Sequence, residues 1–291
     1  MIIKTRLHSI HEIGQRANQE DSIWPDQAAG ESSRDLFILC DGMGGHEAGE
    51  VASQAVCAAM SEYVNENHIP ETPFTGQDFQ YALNAAYKAL DAKDNGADKK
   101  MGTTLTFVKF HVDGCFVAHI GDSRVYHIRP SEKRILFVSR DHSLINDLMD
   151  LGEMTPEEAK TSRQKNIITR AMQPLQEHPA TADCRNLTDI RTGDYIYMCS
   201  DGMLEKMEDT ELVQILSQPV PDGEKVGRLV EATRENRDNH SAHLIRIVSV
   251  ETDIESAQSR RPRHALGRIL SVLLVLLCIG ALWLLKIKHI I

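Results

Sequence analysis

Eight short apolar runs, "IIKTRLHSI", "DLFILCD", "GTTLTFVKFHV", "GCFVAHIGD", "SRVYHIRP", "KRILFVSRD", "DYIYMCSD" and "AHLIRIVSV", carry the branched and aromatic residues that favour strands. Four of them follow one another from Gly102 to Asp141 with almost nothing between, several across Asp-Gly or Gly-Asp turns. Connections that short join antiparallel neighbours. Helical periodicity falls in two clusters, "EVASQAVCAAMSEYVNEN" with "GQDFQYALNAAYKALDA" early, then "SLINDLMDLG", "TPEEAK", "TELVQILSQ" and "KVGRLVEATREN" late. The early pair interrupts the strands rather than alternating with them. That order disfavours a doubly wound parallel sheet and predicts an α+β architecture, helices packed on antiparallel sheets.

The 291 residues suffice for one large domain or two small ones. From Ile269 to Leu285 the sequence "ILSVLLVLLCIGALWLL" runs 17 residues without a charge, with Arg268 before it and Lys286 and Lys288 after. A helix of about 17–25 apolar residues spans a bilayer. A buried core helix is the alternative, but the run is apolar on every face, with a Trp near one end and basic flanks. Ahead of it "DIESAQSRRPRHALG" is polar, Arg-rich and without periodicity, as a linker is. The expected division is a folded domain over 1–252, a basic linker over 253–267 and a transmembrane helix over 268–286. Arg260, Arg261, Arg263 and Arg268 precede the span, which by the positive-inside rule keeps the large domain in the cytoplasm. The opening "MIIKTRLHSI" has no long apolar signal region. The expectation is a single-pass, tail-anchored protein of the cytoplasmic membrane, with the lipid bilayer as one partner.

Formal charge is −10; residues 253–291 carry a net +4, which leaves −14 on residues 1–252. Nucleic acid is therefore not an expected partner, because such binding leans on basic patches. Local clusters of carboxylate could instead hold divalent cations. The six cysteines, Cys40, Cys57, Cys115, Cys184, Cys199 and Cys278, show no paired or zinc-binding spacing, and read as reduced core residues.

Four aspartates stand at the ends of predicted strands beside small or turn residues: Asp41 in "ILCDGMGG", Asp122 in "AHIGDSRVY", Asp201 in "YMCSDGM" and Asp238 in "RDNHSAHLIRI". One Asp-Gly is an ordinary turn. Four at strand ends can converge on one rim, where carboxylates repel unless they hold cations. Oxygen ligands without a His/Cys pattern suit Mg2+ or Mn2+. Near the N-terminus "GQRANQEDS" adds Arg16, Glu20 and Asp21. Arginine offers a planar fork matched to phosphate, so a basic group beside an acidic, metal-holding rim suggests an oxyanion substrate; a surface salt bridge is the plain alternative.

With "CDGMGGHEAGEVAS", "MGTTL", "SRDHSL", "NIITRAM" and "GDYIYMCSDGM" added, these segments occur in one order over most of residues 10–248. In that order the chain resembles the metal-dependent serine/threonine protein phosphatases of type 2C (PPM), in their bacterial form. The resemblance implies a four-layer α-β-β-α sandwich and a site for two Mn2+ or Mg2+ ions. Asp41 would bridge both cations and the Gly42 carbonyl would ligate one. Asp201 and Asp238 would complete the second, Glu20 and Asp21 would act directly or through water, and Arg16 would hold phosphate. A weaker third cation would sit on Asp122 and Asp201. Residues from about His142 to Lys165 would form a flap beside the cleft, with Gly152 as a point of flexibility. The implied reaction is direct hydrolysis of phosphoserine or phosphothreonine by a metal-activated water. The implied partners are a phosphoprotein at the membrane and an opposing serine/threonine kinase.

Three features depart from the family pattern. Met43 stands where many members have a histidine assigned as general acid, and His46, three residues on, is read as structural. The last motif reads Asp238, Asn239, His240, Ser241 instead of Asp-Asn, one residue, Thr; His240 and His243 are read as a varied strand entrance. The terminal apolar segment is not a requirement of the catalytic family. Two other functions stay open on the sequence: a catalytically silent scaffold that binds phosphoprotein, and an enzyme for small phosphoesters.

Overall fold

The computed structural model describes residues 1–26, 31–32, 34–44, 48–68, 72–94, 96–97, 100–162, 164 and 167–251. Its elements are β1 (Ile2–Glu12), β2 (Asp21–Trp24), β3 (Glu31–Ser32), β4 (Leu36–Met43), α1 (Ala48–Asn67), α2 (Gly76–Asp91), β5 (Gly102–Thr103), β6 (Leu105–His111), β7 (Gly114–Ile120), β8 (Arg124–Arg129), β9 (Arg134–Val138), α3 (Leu144–Asp150), α4 (Pro156–Thr161), β10 (Asp183–Leu187), β11 (Tyr195–Cys199), α5 (Asp209–Leu216), α6 (Asp222–Thr233) and β12 (His240–Glu251). Two antiparallel sheets result. One has the order β3-β1-β12-β11-β8-β9; the other has β10-β7-β6-β4-β2, with β5 paired to the end of β4.

Both faces of each sheet are covered, which is why β4 reads as an unbroken apolar run rather than an alternating one. Along it Phe37 and Leu39 point between the sheets, with Val108, Val117, Val125, Ile196 and Ile245, while Ile38 and Cys40 point outward. Outside them lie α1, which presents Ala52, Val56, Met60 and Val64 at one-turn spacing, and α2 with Phe79, Leu83 and Leu90. On the other side Tyr195, Tyr197 and Leu244 meet Leu212, Leu216 and Leu229 from α5 and α6. The expected four layers are present. The start of α2 is fixed by a capping box, in which Thr75 accepts from the Asp78 amide and the Asp78 carboxylate accepts from the Thr75 amide.

Three strands are not among the expected runs: the two-residue β3, β10 and β2. β10 is exposed over most of its length and carries Asp183, Arg185 and Asn186, so its polar sequence reads as loop although it pairs with β7 at the sheet edge. β2 has only four residues and begins on Asp21. "GTTLTFVKFHV", expected as one strand, breaks at Thr104, whose amide and hydroxyl both turn to the backbone of Asp41, at 2.9 and 3.0 Å.

Residues Met1–Val250 form one compact unit. The expected linker and transmembrane helix lie outside the described residues, among which no helix is long and apolar enough to cross a membrane. Cys40, Cys57, Cys115 and Cys199 are free and buried; Cys184 is exposed on β10, which corrects its reading as a core residue. Cys278 and His46 lie outside the described residues. Gly152 adopts φ +72° and ends α3, the Glu153 amide donating back to the Leu148 carbonyl at 2.9 Å. It is a helix stop of the left-handed kind.

Candidate active site

The acidic strand ends meet where the two sheets close on one another. β2 and β4 bring Asp21 directly opposite Asp41 in the ladder. Asp122 sits on the turn that carries the chain from β7 in one sheet to β8 in the other. Asp201 follows β11 and Asp238 precedes β12. Contacts tie the two groups together. The Ser200 hydroxyl donates to Asp21 Oδ2 at 2.9 Å, and the carboxyls of Asp41 and Asp201 lie within hydrogen-bonding reach. Arg16 extends from the loop after β1 and places Nη2 2.5 Å from Asp238 Oδ2, with its side chain 53% exposed.

Directly opposed like charges destabilise a ladder. Burial pushes the Asp21 carboxyl up to about 7, and Asp201 and Asp238 add to the shift, against hydrogen bonds from Ser241 and Ser200 that favour the anion. Burial, then Asp201 and Asp141, take Asp122 to about 7. Asp201 rises to about 6 through burial and Asp238. Asp41 is held well above the ordinary carboxylate range by burial and by Asp21, Asp201, Asp122 and Asp238 together. Asp21 Oδ1 and Asp122 Oδ1 are buried with no hydrogen-bond partner. Natural folds rarely leave such oxygens unsatisfied. Five carboxylates against one guanidinium, with two orphaned oxygens among them, make a donor set that fits hard divalent cations and nothing softer.

The backbone is built to bring these groups close. The Gly42 amide donates to the Glu20 carbonyl at 3.1 Å, and a Cβ on Gly42 would lie 2.2 Å from the Gly49 carbonyl oxygen and 2.5 Å from that of Glu20. Gly42 is thus a close-approach glycine rather than a positive-φ one. Gly49 answers it from α1, where a Cβ would fall 2.9 Å from the Glu20 carboxylate. Gly202 packs on the Asn239 carbonyl and Gly14 on that of Asp238, with virtual Cβ distances of 2.0 and 2.1 Å. Gly14, Gly49 and Gly202 join the candidate residues only through this geometry; their one signal in the sequence is a place inside the quoted motifs.

The unusual histidines take structural parts. His240 Nδ1 meets the Asp238 carbonyl at 3.0 Å, closing the turn into β12. His243 lies between Ser9 Oγ at 2.8 Å and the Trp24 carbonyl at 3.1 Å, and burial lowers it to about 4. Met43 ends β4 opposite Gly102. The flap segment is anchored where it begins: His142 donates its amide to the Gly121 carbonyl at 2.9 Å and accepts the Gly121 amide on Nδ1 at 3.0 Å. His142, His119 and Asp183 form a second polar cluster. The two rings stack at 4.6 Å with planes 13° apart. An ion shared by two imidazoles lies in the plane of both, which stacked rings do not allow, and Gly121 already occupies the Nδ1 lone pair. This cluster joins flap to sheet; it is not a further metal centre.

Residues 11–244 match the family model described as protein phosphatase 2C. The serine/threonine protein phosphatase PstP of Mycobacterium tuberculosis is 34% identical over 222 residues, covering 74% of this chain and 39% of that protein. The match thus spans well under half the length of PstP. The protein phosphatase PhpP of Streptococcus pneumoniae is 32% identical over 221 residues, covering 75% of this chain and 87% of PhpP. A crystal structure of PstP superposes with a TM-score of 0.71 at 33% identity, over 84% of this chain and 99% of that one. The PstP catalytic domain in complex with two manganese ions superposes at 0.67, also at 33% identity, over 85% and 100%. A rim of aspartates drawn from both sheets, in a four-layer fold these relatives share, is what the matched residues build: the chain belongs to the protein phosphatase 2C family.

Proposed function

We propose that the chain is a protein serine/threonine phosphatase dependent on Mn2+ or Mg2+. The observation that carries this reading is the convergence of Asp21, Asp41, Asp122, Asp201 and Asp238 beside one exposed arginine, with two buried carboxylate oxygens lacking any protein partner. Asp41, the Gly42 carbonyl, Asp201 and Asp238 would hold two cations, Glu20 and Asp21 would support them directly or through water, and Asp122 with Asp201 would hold a weaker third. When bound, the cations supply Lewis-acid charge and a water acidic enough to attack phosphorus near neutral pH.

The chain's own residues do the rest. Arg16 reaches the rim from a solvent-exposed loop, so its guanidinium can turn from Asp238 to two oxygens of a phosphoryl group. Ser200 and Ser241 hold Asp21 in place through hydrogen bonds to its carboxyl. Thr104 fixes Asp41 from both sides of its peptide. A silent phosphoprotein-binding relative has no such need of a complete acidic rim.

We also propose that residues 268–286 hold the enzyme at the cytoplasmic membrane with the domain in the cytoplasm, where it opposes a serine/threonine kinase on membrane-associated phosphoproteins. The support is the uncharged 17-residue run and its basic flanks. The purified protein should hydrolyse a phosphothreonine peptide with Mn2+ and stop on addition of chelator, and it should do so faster than it hydrolyses small phosphoesters. Persistent inactivity across Mn2+ and Mg2+ would leave only the binding role.

A further inference from the structure

The loop that carries Arg16 crosses from the end of β1, in one sheet, to the start of β2, in the other. It has no regular structure of its own, and most of its residues are exposed. One side chain from outside the loop holds it at three points. Asn239, 3% exposed, accepts the Glu20 amide on Oδ1 at 2.8 Å and donates from Nδ2 to the carbonyls of Ile13 at 2.8 Å and Asn18 at 3.0 Å. These bonds use the acceptor and both donors of the amide. They fix the loop at its first residues, after Arg16 and at its exit into β2.

We infer that Asn239 is a positioning residue for Arg16, clamping the loop so that the guanidinium stands at the rim where a phosphoryl group would bind. This rests on the phosphatase reading of the site. No other side chain type supplies the same pattern in the same space. Aspartate has the shape but no donors, and would set carboxylate oxygens against the Ile13 and Asn18 carbonyls. Serine leaves those carbonyls or the Glu20 amide unpaired in a buried place. The neighbouring ligand is insulated from such a change, because Asp238 Oδ1 accepts from the backbone amide of residue 239, at 2.8 Å, which every substitution keeps. The clamp and the metal ligand are therefore adjacent in sequence and separable in function.

The test is a double-mutant cycle on the full chain, with Mn2+ saturating, p-nitrophenyl phosphate as substrate and inorganic phosphate as competing inhibitor. Asn239→Ser should raise the phosphate inhibition constant about tenfold, the loss of one charge-assisted contact. KM should rise with it, and by a larger factor than the Mn2+ half-saturation concentration, since Asp238 keeps its backbone contact while Glu20 loses only its amide anchor. In an Arg16→Ala background the same substitution should change the inhibition constant by less than about twofold, since nothing remains for the clamp to position. An unchanged constant in the parent background, or the same tenfold factor in both, overturns the inference. If the parent itself does not turn over substrate, the phosphatase reading fails instead. Amide hydrogen exchange on the unsubstituted chain covers the case of a variant that does not fold: the Glu20 amide, donated to Asn239, should be strongly protected, and free exchange there overturns the clamp.

Discussion

Replacing Gly42 by alanine adds one methyl group at the centre of the site. That methyl carbon would stand 2.2 Å from the Gly49 carbonyl oxygen, 2.5 Å from the Glu20 carbonyl oxygen and 2.5 Å from the Gly49 carbonyl carbon. Ordinary contact begins roughly 1 Å further out, and all three neighbours are backbone, which cannot swing aside as a side chain does. Either the first turn of α1 lifts or the Glu20 peptide moves, and both take candidate ligands with them. Overpacking of this kind costs about 1–3 kcal/mol, and the backbone neighbours place Gly42→Ala at the upper end. For a domain of this size that lowers the melting temperature by about 6–12 °C. Gly227→Ala is the control. It lies inside α6 with nothing within 4 Å of the added carbon, so the same methyl group should meet no clash. There it should stabilise by about 0.5–1 kcal/mol, because alanine loses less backbone entropy in a helix. Thermal unfolding in chelator reads both stabilities, and calorimetric titration with Mn2+ reads the site, where Gly42→Ala should weaken binding at least tenfold, or about 1.4 kcal/mol. A Gly42→Ala protein with the parent's melting temperature and Mn2+ affinity would refute the close-approach argument.

Asp201→Asn should leave the domain folded, by circular dichroism and melting temperature, and abolish turnover of a phosphothreonine peptide; parental activity would unseat Asp201 as a shared ligand. Without metal, Asp21 and Asp122 titrate near 7, far above unfolded aspartate, so the native state holds more protons than the unfolded one between about pH 4 and 7. Stability in chelator should therefore fall as pH rises through that window, and saturating Mn2+ should remove most of the slope; a metal-free domain more stable at pH 8 than at pH 5 contradicts the assignment. Deleting residues 252–291 should leave peptide hydrolysis unchanged and move the protein from the membrane to the soluble fraction of a cell lysate, an outcome read by fractionation.

Much of this was legible in the chain. Strand runs separated by one or two turn residues leave few alternatives to antiparallel sheets, and helices placed between strand groups exclude alternation. The aspartates stood out because each stands at one end of a predicted strand, Asp41, Asp122 and Asp201 after it and Asp238 before it. What was hidden lay in pairings across long stretches of sequence. Nothing local marks β10 as a strand, since four of its five residues are exposed and what makes it one is its pairing with β7, more than 60 positions back. Asp21 was expected at the metal site, but its burial shows only when β2 is set against β4 and closed over by Ser200, 179 residues away. Asn239 looks like an accessory to Asp238, because its partners Ile13, Asn18 and Glu20 lie more than 200 positions back. Close backbone approach at Gly42 was readable as a requirement, but its cause, Gly49, needed the geometry of the turn into α1.

The candidate ligands are divided between the sheets: Asp21 and Asp41 belong to one, Asp201 and Asp238 to the other, and Asp122 to the crossing between them. Neither half of the sandwich owns a complete site. Cation affinity then becomes a gauge of how the halves are seated, and core side chains such as Val125 and Ile245, with no atom at the rim, acquire leverage over chemistry. The same division makes the finished site a certificate of assembly. On the proposed assignment, a chain with one sheet formed and the other still loose would lack half of the ligands for a cation pair, so cation binding and correct docking of the two sheets would arrive as one event.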